Sequence, residues 1–134
     1  MNGVAALQAL LSANGPLGQL VAPERIAAGV LPQGTALPAI SIMSMSSIDR
    51  NIPDPGGLRR VTDRVQVTVM ASTYQMVKMI VSAVRGAAAD QMPIVAGIAQ
   101  VVIHTEGAGP DFMDEEACIC MQAQDFRVSF NEAR

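Results

Sequence analysis

The stretch that decides the fold is VTDRVQVTVMASTYQMVKMIVSAVRGAA, residues 61–88. Its first half alternates between apolar and polar residues, and only Asp63 departs from the pattern on the apolar side. Because successive side chains of a strand point to opposite faces, this alternation predicts a half-buried strand over 61–71. Its second half repeats apolar residues at helical spacing after Ser72, which begins a capping-box pattern. We therefore predict a helix over about 73–88 that lies on the sheet.

Three other segments have the alternation of strands. AISIMSMSSI at residues 39–48 is rich in β-branched residues, and both faces of this strand are expected to be at least partly covered. GIAQVVIHTEG at 97–107 predicts the next strand, and CICMQAQDFRVSFNE at 118–132 predicts the last. The final segment contains two of the three phenylalanines, so we expect it to be structurally central.

The remaining segments are predicted to be a short helix and two connections. Apolar residues recur at helical spacing after Asn2, which predicts a first helix over about 3–13. Four of the eight prolines lie between residues 16 and 38, so we expect a connector there with one helical turn near 17–21. DRNIPDPGGLRR at 49–60 predicts an exposed loop.

These elements predict one domain that spans residues 1–134. The order is α-β-β-α-β-β, without the repeated βαβ alternation of a parallel sheet. We expect an α+β fold: a four-stranded, mainly antiparallel sheet with the N-terminal helix and the central helix packed on one face.

Composition and charge exclude several classes of protein. No apolar run is long enough to span a bilayer and the start lacks a basic signal sequence, so the chain is expected to be soluble and cytosolic when made. The net charge of −3 argues against a general nucleic-acid binder. Charge is nevertheless uneven, because residues 1–90 carry seven basic and five acidic groups whereas residues 91–134 carry two and seven.

Two charged groups are candidates for contacts between subunits. In a head-to-tail ring, the basic group of one subunit could meet the acidic group of the next. Two unrelated solvated loops would explain the same charges. The basic candidates are Arg50, Arg59, Arg60 and Arg64, and the acidic candidates are Asp111, Asp114, Glu115 and Glu116.

Residues 104–121, HTEGAGPDFMDEEACICM, raise the possibility of a metal site because they hold the only histidine, five carboxylates and both cysteines. However, Cys118 and Cys120 are spaced as Cys-x-Cys and share the strand parity of Phe126, so an unbulged strand would direct both into the core. We therefore expect no metal ligation by His104 and these cysteines.

Motifs of catalysis are missing from the sequence. It contains no Gly-rich phosphate loop with a Lys-Ser/Thr pair, no G-x-S-x-G elbow and no H-E-x-x-H pair. We therefore predict a protein without enzymatic activity and without a cofactor.

The order of these pieces resembles the tail completion, or tail terminator, family of long-tailed bacteriophages and related gene transfer agents. ALQALLSANGPLGQLVAPERIAAGVLPQGTALPAISI at 6–42 is similar to the family's first helix, its small R-I element and the turn into the first long strand. Residues 60–88 resemble the central strand and helix, and QDFRVSFNE at 124–132 resembles the closing strand. The resemblance covers nearly the whole chain.

The resemblance implies a structural virion protein, made in the host cytoplasm. Such a protein forms a hexameric ring with copies of itself at the head-proximal end of the tail, stops polymerisation of the tail tube protein, and joins the tail to the neck or head-completion protein. DNA would pass through the lumen without specific binding, no membrane is involved, and the family brings no catalytic residues. A neck or head-completion (connector) ring is the alternative within virions, and a small ligand- or metal-binding domain is the alternative from another class.

Overall fold

The structure, a computed structural model, describes residues 2–29, 36–50, 57–95, 97–109, 111–114 and 119–133. It is an α+β fold in which helices pack on one mixed β-sheet. The helices are α1 (Asn2–Ala13), α2 (Gly15–Leu20) and α3 (Tyr74–Ala88), with a short 3-10 turn at Pro23–Arg25. The strands are β1 (Ile26–Ala28), β2 (Ala39–Arg50), β3 (Leu58–Ala71), β4 (Ala99–Ala108), β5 (Phe112–Asp114) and β6 (Ile119–Ala133).

The sheet has the strand order β1-β2-β3-β6-β4, and β5 pairs with β6 outside this path. β1 is parallel to β2, while every other pairing is antiparallel. The predicted α+β class, N-terminal helix and central helix are confirmed. The prediction of four strands in the order α-β-β-α-β-β is wrong, because the described residues form a six-stranded sheet, and the helical turn expected near 17–21 forms a separate helix, α2. β1 and β5 have three residues each, too few to show a period of two in the sequence.

The core lies between the helices and one face of β3 and β6. Val65 of β3 pairs with Phe126 of β6, and Val61 pairs with Phe130. All four side chains are buried. The alternation seen in the sequence therefore places one face of each strand in the core and leaves the opposite face of the sheet, here called the open face, uncovered by helices.

Helix α3 begins one residue later than its capping pattern indicated. The hydroxyl of Thr73, not that of Ser72, accepts a hydrogen bond from the backbone N–H of Met76 at 3.2 Å. The buried face of α3 includes Val77, Ile80 and Val84, as its helical spacing predicted. With 15 residues α3 is the longest helix in the described part of the chain, where none is long and apolar enough to cross a membrane.

Asp63, the departure from the apolar pattern of β3, is buried at the start of α1. Its side chain is 2 % exposed, and Oδ2 accepts a hydrogen bond from the backbone N–H of Gly3 at 3.0 Å. The first N–H groups of a helix have no intrahelical partner and carry partial positive charge, so this carboxylate stabilises the end of α1. Gly3 is required here because a Cβ at that position would lie 2.7 Å from the same oxygen.

Strand β2 extends beyond the core. Its first four residues, Ala39–Ile42, are buried, whereas residues 43–50 are exposed. The prediction that both faces of this strand are covered is therefore wrong for its second half. The register shifts between Ser44 and Ser46, so a bulge changes which side chains face the core. The predicted loop at 49–60 is also shorter than expected, because β2 reaches Arg50 and β3 begins at Leu58.

Candidate assembly interface

Three of the four candidate arginines lie together at one end of the sheet. Arg50 is the last residue of β2 and is paired across the strands with Arg60. Nε of Arg59 lies 3.9 Å from Oδ2 of Asp49. Nη1 of Arg60 donates to the backbone carbonyl of Gln100 at 2.9 Å, which ties β3 to β4. These three arginines, here called the basic end, belong to strands β2 and β3, whereas the sequence predicted that Arg50, Arg59 and Arg60 lie in an exposed loop.

Arg64 belongs to a different part of the molecule. It lies in the middle of β3 on the open face, and Nη2 donates to Oδ2 of Asp125 at 2.8 Å. This hydrogen bond, together with the negative charge of Asp125, raises the pKa of Arg64 above its ordinary value. Beside it, Nη2 of Arg127 donates to Oε1 of Glu106 at 2.8 Å. Both guanidinium groups on this part of the open face are thus balanced by carboxylates of the same subunit.

Asp111 lies at the other end of the sheet, in a small network of polar groups. Nζ of Lys78 donates to Oδ1 of Asp111 at 2.6 Å, and the Tyr74 hydroxyl donates to Oδ2 at 2.8 Å. The hydrogen bond from Lys78, followed by that from Tyr74, lowers the pKa of Asp111. The same contact with Asp111 raises the pKa of Lys78. Lys78 also donates to Oε1 of Gln122 at 2.8 Å, so the network ties the start of β5 to α3 and β6.

Sequence reasoning missed the roles of Tyr74 and Lys78, which lie 37 and 33 residues before Asp111. Their spacing of four residues on α3 places both side chains on one helical face. That spacing could have indicated a shared partner, but it does not identify Asp111. Of the other acidic candidates, Asp114 ends β5 with a side chain outside the described structure, and Glu115 and Glu116 are outside the described residues.

Arg50, Arg59 and Arg60 cannot meet Asp111 within one subunit. Arg60 is paired with Asn131 of β6, whereas Phe112, next to Asp111, is paired with Met121 of the same strand. Ten residues of β6 separate these two levels, which corresponds to roughly 33 Å along the strand. The structure thus places the three arginines of the basic end and Asp111 at opposite ends of one sheet, and the end with Asp111 is called here the acidic end.

The metal hypothesis fails on geometry for His104 and Cys120. Cys120 has the strand parity of Phe126 and packs against the core, as predicted, while Cys118 is outside the described residues. His104 is paired with Arg127, on the open face. The side chains of His104 and Cys120 lie on opposite faces of the sheet. Their levels along β6 are about seven residues, or roughly 23 Å, apart. Within the described ranges, no group of three or more His, Cys, Asp or Glu residues could hold a metal ion.

His104 instead has a local partner. Its Nδ1 lies 3.0 Å from Oδ1 of Asp90, and both side chains are exposed. Asp90 follows α3 in a left-handed conformation with φ of 59°, which an aspartate tolerates better than most residues. The pair links the segment just after α3 to the middle of β4, a contact that the sequence did not reveal.

Comparison with known proteins identifies the family of this α+β chain. Residues 5–118 match the family model of the tail completion protein gp17. The chain therefore belongs to this family of tail completion proteins and is a structural component of a virion tail. No curated protein sequence matches the chain significantly.

A solved structure has the same fold. It is described as the virion of a native gene transfer agent (GTA) particle, and one of its chains superposes with a TM-score of 0.68 at 18 % sequence identity. The match covers 98 % of this chain and 99 % of that chain. Two chains of equal extent therefore share the fold although most of their residues differ.

Proposed function

We propose that this protein is a tail terminator, in which residues 1–134 act as one domain. Copies form a hexameric ring at the head-proximal end of the tail. One face of the ring binds the last ring of tail tube protein, and the opposite face offers no equivalent surface, so polymerisation stops. That opposite face then binds the neck or head-completion protein.

The observation that carries the ring is the separation of charge along the sheet. Arg50, Arg59 and Arg60 lie roughly 33 Å from the level of Asp111, so these arginines can approach that carboxylate only between copies. A surface that is complementary to a different part of the same molecule gives head-to-tail contacts, which close into a ring when the rotation allows it. The proposed contacts of the acidic end include Asp114, Glu115 and Glu116.

The open face supports passage of DNA without specific binding. Affinity for DNA comes mainly from Lys and Arg that neutralise phosphates and release counterions. Arg64 and Arg127, in the middle of the open face, are paired with carboxylates at 2.8 Å, so this part of the face offers little free positive charge to phosphate. We propose that Arg64 contributes to an interface only together with its partner Asp125. We assign the protein no enzymatic activity and no cofactor.

Tail length in the absence of the protein tests this function. Negative-stain images of tails that assemble without it should show abnormally long tails without heads, because nothing stops the tube. Tails of normal length that lack heads would instead identify a neck ring. Tails of normal length attached to heads would reject both functions, and restoring the protein provides the control.

A further inference from the structure

An apolar pocket opens at the acidic end of the sheet. It has a volume of about 140 Å³ and is lined mainly by apolar side chains of α3, β5 and β6, together with Asp111. A cavity of about 150 Å³ lined by apolar side chains accepts a benzene molecule. The pocket therefore has room for one Leu, Ile or Phe side chain. Phe112 and Met113 at its mouth are 60 % and 57 % exposed, which is unfavourable unless another surface covers them.

The basic end of the sheet presents an aliphatic side chain of suitable size. Ile48 of β2 is 66 % exposed and is paired with Thr62 on the open face. Arg50 lies two residues further along the same strand, hence on the same face, and is paired with Arg60. This arrangement, an exposed apolar residue beside two arginines, is typical of the anchor residues of protein interfaces.

Ile48 cannot reach the pocket of its own subunit. Thr62, its neighbour on β3, is paired with Ser129 of β6, whereas the pocket is lined by Met121. Eight residues of β6 lie between these levels, or roughly 26 Å. A side chain from the basic end can fill the pocket only when it comes from another copy.

We propose that the pocket receives Ile48 of a neighbouring copy of this chain, and that Arg50 of that copy approaches Asp111. The proposal rests on the ring proposed above and specifies its contact. The two oxygens of Asp111 accept hydrogen bonds from Lys78 and Tyr74. An ionised carboxylate offers about four acceptor positions, so the carboxylate retains capacity for a guanidinium donor. Ile48 thus supplies apolar burial, and Arg50 sets the orientation.

Cys120, which lines the pocket, makes the contact testable by disulfide cross-linking. In a Cys118→Ser background, Ile48→Cys places a thiol where the contact requires one. Copper phenanthroline then oxidises the two thiols to a disulfide, taking up two electrons while two protons are released. Oxidation is carried out on the free protein at high concentration and on purified tails that contain it. The control is Ile94→Cys, because Ile94 is fully exposed in the connection between α3 and β4 and is not part of the proposed contact.

A ladder of disulfide-linked oligomers from Ile48→Cys is the expected result on a non-reducing gel. It should be absent from Ile94→Cys and from Ile48→Cys that also carries Cys120→Ser. Oligomers that are present by light scattering, or rings present in tails, without this cross-link would overturn the docking but leave the ring intact. A chain that stays monomeric at all concentrations and forms no ring in tails would overturn both proposals.

A second measurement does not depend on disulfide geometry. Burial of an Ile side chain contributes about 1.5–3 kcal/mol, so Ile48→Ser should raise the dissociation constant between copies roughly ten- to hundred-fold. Ile94→Ser should leave it unchanged. Equal dissociation constants for the two variants, measured by analytical ultracentrifugation, would contradict the proposed anchor.

Discussion

The contact between Asp63 and the start of α1 gives a stability prediction whose magnitude follows from the structure. Asp63→Ala removes the acceptor of the Gly3 N–H, which is buried and 3.0 Å from the carboxylate oxygen. A buried donor left without a partner costs about 1–3 kcal/mol, and loss of a helix N-cap costs about 0.5–2 kcal/mol. Because these two costs describe largely the same contact, we expect the free energy of unfolding to fall by about 2 kcal/mol.

Urea unfolding followed by circular dichroism measures this loss at a fixed protein concentration. Urea slopes for small proteins are about 1–3 kcal/mol per molar, so the midpoint should fall by about 1 M. Asp49→Ala is the matched control, because Asp49 is exposed and its nearest cationic atom is 3.9 Å away. Its free energy of unfolding should change by less than about 0.5 kcal/mol.

Gly3→Ala adds a double-mutant cycle. The new Cβ would lie 2.7 Å from Oδ2 of Asp63, so this substitution alone should also destabilise the protein. Removing the carboxylate relieves the clash, and the double variant should therefore lose less than the sum of the two single losses. A change below about 0.5 kcal/mol for Asp63→Ala, or strict additivity in the cycle, would refute the role assigned to this contact.

Three further predictions concern charge. Arg59→Glu with Arg60→Glu should weaken ring assembly at low salt, measured by light scattering, and unchanged assembly would reject the proposed contact. The pKa of Asp111 is lowered in the folded protein, so its ionised form stabilises the fold above the unfolded pKa, and this stabilisation is lost as pH falls through the folded pKa. Lys78→Met removes the main cause of the lowered pKa and should therefore reduce the loss of stability in acid. Urea midpoints at several pH values measure this loss. Glu106→Gln with Asp125→Asn frees two arginines and should create salt-dependent binding to a DNA duplex in fluorescence anisotropy, which the unchanged protein should lack.

The long elements of the fold were predictable because their periodicity is strong. β3 buries alternate residues from Val61 to Ala71 and β6 from Gln122 to Phe130, and α3 keeps its apolar residues on one face. The short strands β1 and β5 have no such signal. Asp63 was visible only as a departure from the pattern, since its partner Gly3 lies 60 residues earlier in the chain.

The sequence indicated which charged residues belong to the candidate interface but not where they lie in the fold. The sequence grouped Arg64 with the other three arginines, whereas the strand places it on the open face, paired with Asp125. The irregular register of β2 near Ser44 also determines the face on which Ile48 lies, and alternation in the sequence does not reveal a bulge. The pocket depends on contacts between α3 and β5, which are distant in sequence and brought together only by folding.

Cryo-electron microscopy of intact particles at the junction between tail and head tests the central claim most directly. The account predicts a single hexameric ring of this chain between the last ring of tube protein and the neck, with the basic end of each subunit against the acidic end of the next. Copies of the chain repeated along the tube, or located only within the neck or the capsid connector, would contradict it.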